Sequence, residues 1–154
     1  AASGADLDSV ENEARSAAAR GHAYIVVHRL DNLRRSGRIG TAASWLGTAL
    51  SLKPLLCLDV DGRLVLSQRI RTVTRAHAAM IDQVAEIVDD RKAVVAVHHV
   101  DNLDAATEVA AALAVRMPHA DAPAVSAMGP VLAVHVGAGA IAVCVQLAEY
   151  SPAR

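Results

Sequence analysis

With 154 residues and a net charge of −1, the chain has the length of one self-sufficient domain and lacks the basic excess of a nucleic-acid binder. Hydrophobic residues make up 53% of it but aromatic residues only 2%, with no Phe, which excludes a base-stacking platform. A core built from Ala, Val, Leu and Ile suits β-branched strands under Ala-rich helices and predicts an α/β fold. In chain order, residues 6–20 read as a helix, with Leu7, Val10, Ala14 and Ala17 at helical spacing and Gly21 as its stop. This opening segment is charged and has no apolar signal core, so a cytoplasmic protein is expected. Residues 23–28 form a short β-rich run. Residues 31–36 are a helical turn carrying Arg34 and Arg35, closed by Gly37. Residues 41–50 then read as an apolar helix with Trp45, Leu46, Ala49 and Leu50 on one side.

Residues 54–58 and 64–70 are expected as two strands joined at Asp61-Gly62, a hairpin signal because Gly supplies positive φ. Residues 73–88 read as a helix burying Val73, Ala76, Met80, Val84 and Ile87. A strand over 93–98 and a helix over 103–117 follow, the latter with Leu103, Ala106, Ala110 and Leu113 inward. Three strands are expected at the end, over 122–127, 131–136 and 140–147. The run 131–148 carries no formal charge, but its glycines and the strand period after Ala140 argue against a membrane span. In the last strand Ile141, Val143, Val145 and Leu147 face one way and the small Ala140, Ala142 and Cys144, with Gln146, face the other. A small apolar face of this kind calls for a cover: another domain, a second chain as in a homodimer, or an apolar ligand. Residues 25–33 and 95–103 resemble each other, each leading a strand through His into Asp-Asn, read as helix caps.

Chemical motifs are sparse. Asp59-x-Asp61-Gly62 lacks the further oxygen ligands and distal Glu of a calcium loop. His98 and His99, being consecutive in a strand, point to opposite faces and do not converge on a metal. No catalytic triad and no glycine-rich phosphate loop is present. Cys57 and Cys144 read as buried free thiols. Two elements stand out. Arg34 and Arg35 precede Ser36-Gly37-Arg38-Ile39-Gly40, where Arg38 sits between glycines at the start of an apolar helix, a placement that favours an anion; a solvated basic face is the plainer reading. His135 lies just before Gly137-Ala138-Gly139, either as a structural hydrogen-bonded residue or as a ligand contact.

At these elements the sequence resembles the DegV family of fatty-acid-binding proteins. Residues 30–40 (LDNLRRSGRIG) resemble the family's L-(D/E)-x-L-(K/R)-x-G-G-R-I-G block, 50–56 (LSLKPLL) its L-(N/S)-I-K-P-(I/L)-L block, 69–72 (RIRT) its K-V-R-T, and 129–139 (GPVLAVHVGAG) its G-P-V-I-G-T-H-T-G-P-G. The match departs at Ser36, Ala133, Val134, Val136 and Ala138. The resemblance implies a two-layer α/β domain with a mixed sheet of about six strands covered by helices on one face. It implies residues 22–150 as the family's C-terminal domain, residues 1–21 as a linker helix, 151–154 as a tail, and the N-terminal DegV domain as absent from this chain. It further implies a binding protein without enzymatic activity or cofactor, holding a long-chain fatty acid and presenting its carboxylate to a fatty-acid kinase. Arg38 and His135 would meet the carboxylate, Trp45, Leu46 and Leu50 would line the acyl channel, and Arg69 and Arg71 would contact the kinase. The alternative is a structural or dimerisation domain without lipid binding.

Overall fold

The computed structural model describes residues 4–38 and 52–148. Among these, α1 (Leu7–Ala19), β1 (Gly21–Val26), α2 (Asp31–Arg35), β2 (Leu55–Leu58), β3 (Leu64–Gln68), α3 (Val73–Val88), β4 (Ala93–His99), α4 (Leu103–Arg116), β5 (Ala124–Ala127), α5 (Pro130–Val136) and β6 (Ile141–Leu147) follow one another. The strands form one mixed sheet in the order β3-β2-β1-β6-β4-β5, in which only β4 and β5 run parallel. The parallel pair requires a crossover, supplied by α4. The β2–β3 hairpin turns at Gly62, whose φ is +72°, while the Asp59 carboxylate accepts from the backbone N–H groups of Asp61 and Arg63 at 3.0 and 2.8 Å. The apolar helix expected over residues 41–50, with Trp45, Leu46 and Leu50, lies outside the described residues.

α3 and α4 cover one face of the sheet. Ala76, Met80, Val84 and Val88 from α3 and Ala106, Val109, Ala110 and Leu113 from α4 pack on Ile141, Val143, Val145 and Leu147 of β6. The large alternate residues of β6 are thus the floor of the main core, as their period-2 spacing requires. Thr72 caps α3 by accepting from the Arg75 N–H at 3.4 Å. Val88 is fully buried on the stripe, the expected Ile87 is partly buried against the same core, and Leu103 at the first turn of α4 is 58% exposed rather than inward. α1 is held at its end by Arg20, whose guanidinium donates to the Leu147 carbonyl at 3.3 Å, yet none of its residues is buried. Its C-cap is Arg20, and Gly21, expected as the stop, opens β1 instead.

The segment expected as a strand over 131–136 is the helix α5. Pro130 at its first turn is pre-set for helix and needs no N–H there, and Gly137 at φ +82° ends it. Its valines suit a strand, but a short apolar run does not distinguish the two conformations by period. The uncharged run 131–148 is therefore a helix, a glycine turn and a strand, and no described helix is long and apolar enough to cross a membrane.

Candidate functional site

The second face of the sheet has its own structure. At one end α2 and α5 pack together, and Leu33 and Val136 close over Val27, Leu56 and Ala140 in a separate small core. Away from this core the face is open around Leu58, Val94 and Cys144. One row across it runs Leu66, Leu56, Ile25, Ala142, His98, Ser126. The next joins Ala23, Cys144, Ala96 and Ala124. A depression of about 380 Å³ spreads over Ala23, Leu58, Val94, Ala96 and Cys144. Leu58 is 46% and Val94 58% exposed. Small residues at the centre, with Leu58 of β2 and Val94 of β4 beside them, make a shallow apolar trough. His98 Nδ1 sits 2.9 Å from Ser126 Oγ on this face, so its polar group is partnered.

Cys144 is exposed in the trough and Cys57 is half-buried on the opposite face, beside Tyr24 in the register. The expectation of two buried thiols holds for neither. Both are free, and burial, reinforced by Asp59, pushes the Cys57 thiol pKa up, which keeps it protonated and unreactive.

At the α2–α5 end, the two Asp-Asn segments converge on one glycine turn. Asn102 Nδ2 donates to the Gly139 carbonyl at 3.1 Å, and the Gly139 N–H donates to Val100 at 2.8 Å. The Asn32 amide presses on Gly137, where an added Cβ would stand 2.6 Å from Nδ2. The His28 ring presses on Gly139, where a Cβ would stand 2.5 Å from Nδ1. Both glycines have φ of +82°. The expected capping role of these asparagines is corrected: the N-cap of α2 is Leu30, and Asn102 makes no side-chain cap bond. A side chain committed to a long-range carbonyl is not available to its own helix. The resemblance of residues 25–33 to 95–103 was the visible signal for this arrangement, although it says nothing of the target. Lys53 was missed altogether; its ammonium donates to the His28 carbonyl at 2.8 Å.

Arg38 lies just past α2, exposed, its backbone N–H donating to Leu33 at 3.1 Å and its guanidinium to the Ser36 carbonyl at 2.9 Å. Gly37 at φ +67° makes the reversal. His135 lies on α5, not at a strand end, and its Nδ1 is buried with no hydrogen-bond partner among the described residues. Arg38 follows α2, and α2 packs against α5, the helix that carries His135. Arg69 and Arg71 are exposed in the link between β3 and α3. Among the described residues no cluster of three or more metal-ligating groups occurs.

Two further imidazoles lie at this end. His28 and His77 each have a buried Nε2 without a hydrogen-bond partner among the described residues. Burial lowers the pKa of both, with Lys53 adding to the effect at His28; at His77 it is His28 that adds, against a smaller opposing pull from Glu108. Because their folded pKa values lie below the ordinary 6.5, the unfolded chain takes up protons first. Stability is then full above that value and declines as pH falls below it, until the folded pKa is passed. Thermal melts between pH 8 and 5 should show this fall, and His77→Gln should make it shallower. A slope unchanged by His77→Gln would exclude this residue as its source.

The DegV family model, described as "Uncharacterised protein, DegV family", matches residues 1–148. A DegV domain-containing protein of Mycobacterium tuberculosis is 59% identical over 153 residues, which cover 99% of this chain and 54% of that protein. The crystal structure of a DegV family protein from Corynebacterium glutamicum superposes with a TM-score of 0.87 at 28% identity, over 97% of this chain and 57% of that one. That of a "fatty acid binding DegV family protein" from Streptococcus agalactiae gives 0.85 at 28% identity, over 94% and 50%. The chain spans about half the length of the curated relatives it matches. With the family model matched over residues 1–148 and the folds superposing closely, the chain belongs to the DegV family.

Proposed function

We propose that this chain is one half of a cleft that binds a long-chain fatty acid, as a carrier and not a catalyst. The observation that carries the reading is the shallow apolar depression over Ala23, Leu58, Val94, Ala96 and Cys144, on the same face as the α2–α5 end, where the buried Nδ1 of His135 has no partner among the described residues. Small residues in the trough leave room for methylenes, each contributing about 0.8 kcal/mol on burial. A carboxylate cannot be buried unpaired. Arg38 stays cationic at any working pH and His135 Nδ1 can donate to it, so these two are the proposed carboxylate contacts. Trp45, Leu46 and Leu50 are the proposed acyl-lining residues. The fatty-acid-binding description of the Streptococcus agalactiae relative supports the same ligand class.

In this reading the other half of the cleft comes from the family's N-terminal domain, with residues 22–150 as the C-terminal domain and residues 1–21 linking the two. The unburied stripe of α1, with Leu7 80% exposed, supports a cover on that side. A cytoplasmic acyl kinase would receive the presented carboxylate, with Arg69 and Arg71 at the contact.

The chain has one tryptophan, Trp45, which gives a direct assay. Titration with oleate is expected to change its emission, and Arg38→Ala should weaken the apparent affinity at least about thirtyfold, corresponding to roughly 2–5 kcal/mol for a lost charge partner. His135→Gln should weaken it less. Affinity unchanged in Arg38→Ala would remove that residue from the site. A concentration-dependent dimer with no response to oleate would favour the structural alternative.

A further inference from the structure

The turn at residues 137–139 is held by three side chains, and one of them can take up a proton. Asn102 Nδ2 donates to the Gly139 carbonyl at 3.1 Å, and the Asn32 amide lies against Gly137. The third is the His28 ring, which fills the space where a side chain on Gly139 would stand. Gly137 is also the C-cap of α5, its N–H donating to the Ala133 carbonyl at 2.8 Å. Whatever moves the turn therefore moves the helix that carries His135.

The surroundings of His28 suit a neutral ring and oppose a charged one. Its Nε2 is buried without a hydrogen-bond partner among the described residues. A neutral imidazole can leave that nitrogen as a bare lone pair, whereas the cation carries an N–H there that needs an acceptor. The charged and titratable neighbours offer none. Lys53, from the segment before β2, places its ammonium on the His28 carbonyl at 2.8 Å. His77, from α3, brings a second imidazole with a buried Nε2, and Glu108 of α4 acts on His77. The segment 99–102 that grips the turn carries the exposed Asp101 and His99, whose Nδ1 accepts the Asn102 N–H at 3.2 Å. Asp31, on the segment of His28 itself, is paired with Arg29 at 2.9 Å. Burial and then Lys53 accordingly hold the His28 pKa below its ordinary value.

We infer that His28 is a positioning residue and a proton-operated catch: neutral, its ring holds the glycine turn and α5 in place for the ligand, and protonated, it leaves Gly139 and the carboxylate end loosens. The role rests on the fatty-acid reading for its ligand, while the contact with Gly139 exists without one. A bound anion favours the held turn, so binding expels a proton from His28 and affinity falls as pH falls. A charged His135 would act in the opposite sense, tightening the grip on an anion on acidification.

Dodecanesulfonate is the probe, because its head group keeps one charge at every pH used. Calorimetric titrations between pH 8 and 5 should show its affinity for the chain weakening about tenfold, within the limit of roughly tenfold per pH unit for one coupled proton. His28→Gln takes up no proton there and should hold the change within about twofold, with circular dichroism native at both ends of the range. Affinity that rises on acidification, or that weakens equally in His28→Gln, would overturn the proposal. NMR of the His28 ring needs no variant. Its titration should move to lower pH when dodecanesulfonate saturates the chain, and an unmoved titration would count equally against the catch. If neither oleate nor dodecanesulfonate binds at pH 8, the fatty-acid reading falls and hydrogen exchange decides the catch. Protection of the Gly139 N–H, corrected for intrinsic rate, should then drop on acidification in the unaltered chain but not in His28→Gln. Equal protection in both would dispose of the catch as well.

Discussion

Gly139→Ala is expected to destabilise the chain by about 2–5 kcal/mol, even though it adds a single methyl group. The residue sits at φ +82°, where an L side chain costs about 1–2 kcal/mol, and its Cβ would stand 2.5 Å from His28 Nδ1. The ring must move within a packed site, at a further cost of about 1–3 kcal/mol. For a domain of this size the melting temperature should fall by roughly 5–15 °C. Gly62→Ala is the matched control: φ is +72°, but nothing lies within 4 Å of the added Cβ, so only the backbone strain remains. Removing the ring separates the two effects. Gly139→Ala in a His28→Ala background should cost less than the sum of the single changes, and additive costs would show that the contact is not responsible.

Met80→Ala should be as damaging for a different reason. Met80 is wholly inaccessible at the middle of α3, inside the core built with α4 and β6. Truncation leaves a cavity that close-packed neighbours fill only in part, at about 2–5 kcal/mol. Val131→Ala, on the exposed half of α5, should stay within about 0.5 kcal/mol. Denaturant midpoints for the two variants check the contrast. Similar losses at both positions would mean that α5 is buried in solution.

Much of the fold is legible from spacing. The 73–88 periodicity coincides with α3 at both ends, and the alternation after Ala140 identifies the two faces of β6. In each case one face is packed, so burial enforces the period. Legibility fails where no periodicity exists. The apolar run at 131–136 is rich in valine, and only the Pro130 start and Gly137 stop make it helical, which moves His135 from a strand to the side of α5. Cys144 looked buried because it sits in an apolar run, but no described layer covers that part of the face.

The sequence by itself determined the α/β class, the hairpin, the two core helices and the DegV resemblance, because local periods and turn residues carry that information within a few residues. The tertiary structure alone decided where side chains go when local rules are silent. Asn32 and Asn102, natural helix caps in sequence, instead reach the turn at residues 137–139, more than thirty-five positions downstream. A polar side chain satisfies whichever partner the fold brings near, and that partner is set by packing.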